Sequence, residues 1–418
     1  MTNYIIEKPE PTPVKAEFDV IVCGAGPAGC AAAIAASKAG CKTLLLERNH
    51  TVGGIWTAGL MPWIIDCSGK SGFMAQWTDE LLKRGGSFHN KSLTVEPETI
   101  KLFLEEEIIS NNVALCYGTT VVNTKKENNL IQYIITESKS GREAYKCKIV
   151  IDCTGDGDVA ALSGCSYDYG NDKNEIQPSS LNAIVTGLKL DEVKDFLVPH
   201  GKLLLKEELA KCGITPSYAH PSLFPFGENV FGWMTHHAYN ICAFNAKDIT
   251  KAIIEGRKEI HNQIKALKSL GGIWKNLTLI ATAERLGCRE GRRIIGKESV
   301  LKKDFGSLRT IGKTICTSTV LPDIHAPNPK ENKGVLPQEK NLPPYLPIPF
   351  LALCAKDIDN LLMAGRCISG DFASHASYRM TGTAVPMGEA AGLSAAWAVK
   401  ENKLPYQWND IPFLSKED

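Results

Sequence analysis

The chain has 418 residues, enough for about two or three domains, and its 44% apolar content is ample for full cores. A formal charge of +1 gives no global field for nucleic acid or an anionic membrane. No apolar run approaches the ~18 residues that span a bilayer, and the N-terminal arm lacks the basic and apolar regions of a secretory signal.

The first organised stretch is Phe18 to Gly59. An apolar run, Val20 to Cys23, ends in Gly24-Ala25-Gly26-Pro27-Ala28-Gly29. An alanine-rich helix follows, then a second apolar run from Thr43 to Leu46 that stops at Glu47. Strand, glycine turn, helix, strand and acid make a dinucleotide-binding unit. Gly24 permits the tight turn, Gly26 lets backbone approach a pyrophosphate, and Gly29 lets the helix sit on the strand. The helix N-terminus offers N–H groups and a positive dipole end to phosphates. Glu47, 23 residues after Gly24, is placed to accept hydrogen bonds from a ribose.

Farther on, Met74 to Lys83 reads as a short helix. Pro97 opens another, with Ile100, Phe103, Leu104, Ile108 and Ile109 at helical spacing. Val113 to Val122, Leu130 to Glu137 and Ala144 to Asp152 read as strands, with breaks at Lys125–Asn129 and Ser138–Gly141. The last strand ends in Asp152-Cys153-Thr154-Gly155-Asp156-Gly157-Asp158, where no downstream glutamate completes a calcium loop. The fourteen cysteines include no CxxC pair, which indicates reduced thiols and a cytoplasmic protein; no metal-site spacing is present.

Near residue 166 the chain becomes polar and glycine-punctuated, marking a domain boundary. Beyond it come a strand (Leu181 to Leu188), helices over Glu192–Val198 and Leu203–Cys212, and a proline-rich patch (Pro216 to Pro225). A strand pair is expected over Val230–Phe244, then an amphipathic helix from Asp248 to Leu270 stopped by Gly271-Gly272. His236 and His237 lie in the alternating stretch, where one would face inward as either a catalytic acid/base or a structural histidine. Residues 322–344 read as a long loop, a lid or a linker. The chain ends in an apolar strand, Asn360 to Met363, then Ala364-Gly365-Arg366, and a turn into a small-residue helix from Gly382 to Gly392.

Four ordered motifs carry a resemblance. Glu47-Arg48 followed by Gly53-Gly54 and Gly59 resembles the ExxxxxGGxxxxG extension of flavoproteins related to glutathione reductase and fumarate reductase. DCTGDGD is similar to their second FAD motif. Glu284 to Gly296, ERLGCREGRRIIG, looks like the G(V/C)RExRRIxG motif of the FAD-dependent oxidoreductase family, with Gly291 where a hydroxyl residue is common. The ending NLLMAGR…SYRMTGTA…GEAAG resembles the closing FAD strand and helix, with Arg366 where relatives carry an acid.

The resemblance implies an α/β fold. A Rossmann-like FAD-binding domain with a parallel sheet would form from both ends of the chain, residues 1–165 and 341–418. An α+β cap or substrate domain would span residues 166–340. The implied cofactor is FAD, on Gly24, Gly26, Pro27, Ala28, Gly29, Glu47, Arg48, Gly53, Gly54, Gly59, Thr154, Gly155, Asp156, Gly365 and Arg366. Gly382, Thr383 and Ala384 would supply N–H groups to the flavin ring at the helix N-terminus. Arg379 resembles the arginine near the substrate carboxylate, and His375 and Asp371, in the preceding loop, are the other candidates for substrate acid/base work. Arg289 or Arg292 would bind an anion by its planar fork, or the RExRR segment would lock cap to core by salt bridges. The implied activity is hydride transfer between flavin N5 and a carbon of a small polar metabolite, with an external electron partner. The alternatives are reduction of an activated C=C bond and, disfavoured by the charge balance, an RNA-modifying flavoprotein.

Overall fold

The computed structural model describes residue 5 and residues 10–89, 91–308, 313–330, 334–337 and 341–415. Its organising layer is a mainly parallel sheet around β1 (Val14–Cys23). Val20 to Cys23 are fully buried on both faces, so the run reads as continuous apolar residues without alternation. β1 pairs in parallel with β2 (Thr43–Leu46) on one side and with strand Gly141–Asp152 on the other. Strand Gly141–Asp152 is shared. Residues 141–146 pair with strand Leu130–Ser138, and residues 150–152 pair in parallel with Leu361–Met363 from the far end of the chain.

Two expectations need adjustment in this region. The strand read over Val113–Val122 is divided at Gly118 (φ 58°) into Ala114–Cys116, beside β2, and Thr120–Glu127, in the hairpin. The break expected over Lys125–Asn129 shrinks to Asn128-Asn129, with Asn128 at φ 51°. Lys125, Lys126 and Glu127 complete an edge strand, where charged side chains reach water and discourage further pairing.

The helix α1 (Pro27–Lys38) is buried over its first ten residues, nearly all of them small. It packs against the C-terminal helix Thr381–Glu401, which carries Gly388 and Gly392 on the contact face. A Cβ on Gly388 would overlap the Ala28 carbonyl, and one on Gly392 would overlap that of Ala32. Backbone thus lies on backbone, and both ends of the chain share one core.

The middle of the chain builds a second, antiparallel sheet in the order Ser222–Pro225, Val230–Met234, Ala183–Thr186, Thr278–Thr282. Helix Ala246–Leu270 covers it, capped by the Asn245 side chain, with Ala252, Gly256, Ile260, Ile264 and Leu267 inward and Gly271 (φ 78°) after its end. The proline-rich patch holds an edge strand, Ser222–Pro225, with Pro225 at its end, where no ladder N–H is lost. The strand expected to reach Phe244 stops at Met234, and the expected Glu192–Val198 helix is a short turn of Leu190–Val193 followed by a 3₁₀ turn. In both stretches, EVKDFLV over 192–198 and THHAYNICAF after Met234, apolar and polar residues alternate over a few positions without a sustained period, so local pattern does not separate strand, turn and loop.

Gly388→Val is expected to force the two buried helices apart and lower unfolding stability by about 3 kcal/mol, as overpacking does. Urea unfolding of the purified variant checks this; an unchanged midpoint would contradict the close contact.

Candidate flavin and substrate site

A cavity of about 750 Å³ lies where the two sheets meet. That volume is in the upper part of the ~300–1,000 Å³ range of ligand sites. Its walls bring together Gly26–Ala28, Arg48, Gly54, Thr154–Asp156, Gly365, Arg366 and Ala384 from the two chain ends. From the middle come Ser180, Tyr218, Arg285, Arg289, Asp323 and His325, and Arg379 reaches the same cavity from the C-terminal segment.

The glycines divide by role. Gly24 (φ 96°) turns the chain, and a Cβ there would stand 2.6 Å from the Cys153 carbonyl oxygen. Gly29 presses on the Gly24 carbonyl, while Gly26 has nothing within 4 Å of a Cβ and opens onto the cavity. Gly53 (φ 90°) and Gly54 (φ 54°) make the second turn, and Gly54 lies against Gly26; Gly59 packs on Ile55. Gly24, Gly29, Gly53 and Gly59 therefore shape the walls from behind.

The motif acids are scaffold groups. Glu47, 2% exposed, accepts the Ala25 N–H at 2.7 Å and both the backbone and side-chain N–H of Asn49 at 2.8 and 2.7 Å. Its carboxylate is turned into the glycine loop, not toward the cavity as expected for a ribose partner. Asp152 accepts the N–H groups of Thr154 and Ala160 and the Thr154 hydroxyl. Burial pushes its carboxyl up to about 6 against those bonds. Asp156 pairs with Arg366 Nη2 at 2.7 Å. Gly291 explains itself here: a side chain at 291 would run into Asp156 Oδ1 and Arg366 Nη1. The cavity wall above Gly155 carries the Arg366 and Arg285 guanidiniums, with Arg48 nearby. Burial lowers the Arg285 pKa, followed by the charge of Arg48.

The start of the C-terminal helix departs from expectation. The Gly382 N–H donates to the Ile65 carbonyl at 2.9 Å, and those of Thr383 and Ala384 both donate to Met380 at 3.1 Å. Thr383 also gives its hydroxyl to the buried Asp66, itself 3.2 Å from Lys70 Nζ. These three N–H groups are therefore committed within the protein. Among the side-chain groups at this terminus, the Thr381 hydroxyl is buried, lines the cavity and has no hydrogen-bond partner.

At the other end of the cavity stand Arg289 and Arg379. Arg289 Nη1 donates to Pro178 O at 2.7 Å and Ser180 Oγ at 2.9 Å. Burial and then the charge of Arg379 bring its pKa down to about 10. Arg379 Nη2 donates to Asp323 through both the backbone carbonyl (2.8 Å) and Oδ2 (3.0 Å). The RExRR segment splits between its two readings. Arg285 and Arg289 face the cavity. Arg292 instead pairs with Asp158 at 2.9 Å, and Arg293 binds the Gly170 and Gly370 carbonyls.

The histidines expected as acid/base groups lie elsewhere. Because the strand ends at Met234, His236 and His237 do not alternate, and both are 3% exposed. His236 Nδ1 accepts the Leu181 N–H, and burial lowers its pKa to about 4. His237 stacks behind Tyr218 at 4.0 Å between ring centroids. His375 is fully buried in the short helix Phe372–Tyr378, which Asp371 caps by accepting the Ser374 N–H. None of these four lines the cavity. The cavity groups that the sequence did not announce are Tyr218, Asp323, His325 and Lys202. Asp323 and His325 come from the stretch read over 322–344, of which residues 331–333 and 338–340 lie outside the described residues; the bonds Asp323 N–H to Ala376 O and His325 N–H to Gln177 Oε1 hold these two residues in place.

The residues present fit FAD on two structural grounds. The open face at Gly26 admits backbone-close phosphates flanked by arginines, and the unpartnered Thr381 hydroxyl and Arg366 Nη1 await polar groups. Gly26→Val should fold with the urea midpoint of the wild-type apoprotein, since its Cβ meets open space, yet lose FAD retention by at least ~100-fold, about 3 kcal/mol. Gly291→Thr should weaken FAD retention by breaking the Asp156–Arg366 pair. Flavin fluorescence on dilution reads both, and undiminished retention would contradict the placement.

The sequence model of the family described as FAD dependent oxidoreductase matches residues 19–414. The tRNA uridine 5-carboxymethylaminomethyl modification enzyme MnmG of Clostridium botulinum is 30% identical over 193 residues, covering 40% of this chain and 29% of that protein. Digeranylgeranylglycerophospholipid reductase 1 of Methanopyrus kandleri is 62% identical over 37 residues, 9% of this chain and 10% of that protein. The matches thus span less than a third of these curated relatives. Among solved structures, the Diels-Alderase PyrE3 of the pyrroindomycin pathway shares the fold at a TM-score of 0.52 and 13% identity, covering 91% of this chain and 66% of that one. The match over nearly the whole sequence decides the family: the chain belongs to the FAD-dependent oxidoreductases, with FAD as its cofactor.

Proposed function

We propose that this enzyme moves a hydride between FAD and a carbon of a small anionic metabolite, with residues 166–340 supplying the substrate side of the site. One observation carries the reading: Arg289 and Arg379, from separate parts of the chain, converge on the same end of the cavity. Burial lowers the pKa of both guanidiniums, and the charge of Arg379 lowers that of Arg289 further, so the pair favours an anion between them. Ser180 and Asp323 fix the two forks, so little side-chain entropy is lost when a carboxylate arrives.

FAD bound here supplies a two-electron acceptor or donor. The chain's own residues hold the anion, orient the reacting carbon and keep water out with the apolar walls of Met61, Trp63, Ile65 and Met234. The second electron partner is external. Reduction of an activated C=C bond is the runner-up, since the same anion clamp serves electron flow in the other direction. The tRNA named for the MnmG relative fits less well with a net charge of +1.

Anaerobic titration of the yellow protein tests this. Bleaching by reduced carboxylate metabolites supports dehydrogenation, and reoxidation of the dithionite-reduced protein by an enoate supports the runner-up. Arg289→Ala is expected to weaken carboxylate binding roughly 10- to 100-fold, the loss of a charged hydrogen bond, with incomplete rescue by Arg289→Lys. Equal turnover of neutral and anionic compounds would sink the anion reading.

A further inference from the structure

Tyr218, Asp323 and His325 line the cavity beside the proposed clamp. His325 is 4% exposed, and its Nε2 lies 3.3 Å from Asp323 Oδ2, which also accepts from Arg379. Burial works to raise the Asp323 pKa, but His325, Arg379 and Arg289 outweigh it and hold the carboxyl well below its ordinary range. A carboxylate only accepts, so this contact assigns the ring proton to Nε2. Nδ1 then carries the lone pair, and it is buried with no hydrogen-bond partner. An acceptor left unsatisfied inside a ligand cavity is completed by a donor on the ligand.

The surroundings keep this ring neutral. Arg289 and Arg379 face it, Tyr218 and His237 lie 5.8 and 5.1 Å from it between ring centroids, and Lys202 lies on the cavity wall. Burial, then Arg289, lowers its pKa to about 4 despite Asp323. At neutral pH the group is a base and not an acid. A C=C reductase would need a proton donor here, and Nδ1 holds none.

We infer that His325 is the general base of the reaction and that the substrate is a 2-hydroxy carboxylate. Its carboxylate lies on Arg289 and Arg379, and its hydroxyl donates to His325 Nδ1. This rests on the anion reading above and deepens it. In the step, the hydroxyl O–H bond breaks, its proton passing to Nδ1 and its electron pair forming the C=O bond. The C–H bond on the same carbon breaks with its electron pair, and the hydride passes to FAD. The alcohol is oxidised to a 2-oxo acid, the two electrons being those that FAD held by the glycine- and arginine-lined wall would take up, and Asp323 stabilises the imidazolium. A 2-amino acid is disfavoured because its ammonium would meet two guanidiniums, while Asp323 is already engaged.

The test uses the FAD-loaded enzyme, wild type and His325→Gln, with two kinds of probe. Oxalate, which has no hydrogen to give, reports anion binding through the visible flavin band. Glycolate, lactate and malate, against glycine, alanine and aspartate, report reduction by anaerobic bleaching. The expected result is similar oxalate affinity in both proteins and bleaching by a hydroxy acid. In His325→Gln that bleaching slows by ~10²–10⁴-fold. Nitrogen-15 NMR of the wild-type histidines supplies a readout without turnover: His325 should be singly protonated, on Nε2, at neutral pH. A doubly protonated ring, an unslowed variant, bleaching by the amino acids, or bleaching by none of the six overturns the inference. Oxalate binding would still uphold the clamp in those cases. Failure of the wild type to bind oxalate overturns the clamp and the inference together.

Discussion

The site depends on one contact between two helices made of small residues. Gly388 and Gly392 lie on the carbonyls of Ala28 and Ala32, residues more than 350 positions away in the chain. Close backbone approach of this kind brings many weak dispersion contacts and excludes water from both helices. It also fixes where the chain must return after its excursion through the second sheet. Once that helix is seated, Met363 can pair with Asp152, and Gly365 and Arg366 arrive beside the first glycine turn. Cavity geometry is thus a by-product of core packing.

The polar groups obey a stricter rule. Buried carboxylates must be paid for in hydrogen bonds, and those nearest the glycine turns receive them from the backbone. Glu47 and Asp152 hold loops in shape, and Asp156 aims an arginine. Asp156 and Asp323 differ from the other two, because their side-chain partners also line the cavity, Arg366 for the first and His325 and Arg379 for the second. A carboxylate satisfied by scaffold is inert, whereas one satisfied by site residues transmits any change of charge in the site.

Much of the cofactor half was legible because its requirements are local in sequence. A turn at φ 96° needs glycine, an open wall at Gly26 needs the missing Cβ, and a parallel buried strand needs an unbroken apolar run. The fold class and the return of the chain end could be read on those grounds. The substrate half was not legible in the same way. Asp323 and His325 sit in a proline-broken segment without periodicity, and only tertiary bonds to Ala376 and Gln177 aim them. His236, His237 and His375 attracted notice as residue types, but all three are buried: His236 lies against Gly256 of the long helix, His237 against Tyr218 and His325, and His375 against Tyr378. The Gly382 N–H looked available because the carbonyl that occupies it, that of Ile65, is distant in the chain, whereas Thr383 and Ala384 are taken up by Met380 within the first turn.

Arg289 and Arg379 also hang from different supports. The first is tied to Pro178 and Ser180 beside the second sheet, and the second follows the short helix that leads into the C-terminal helix. A ligand gripped by both would act as a strut between the two layers, so affinity and layer spacing become one variable. Loosening the layers anywhere would slacken that grip without touching a single residue of the cavity.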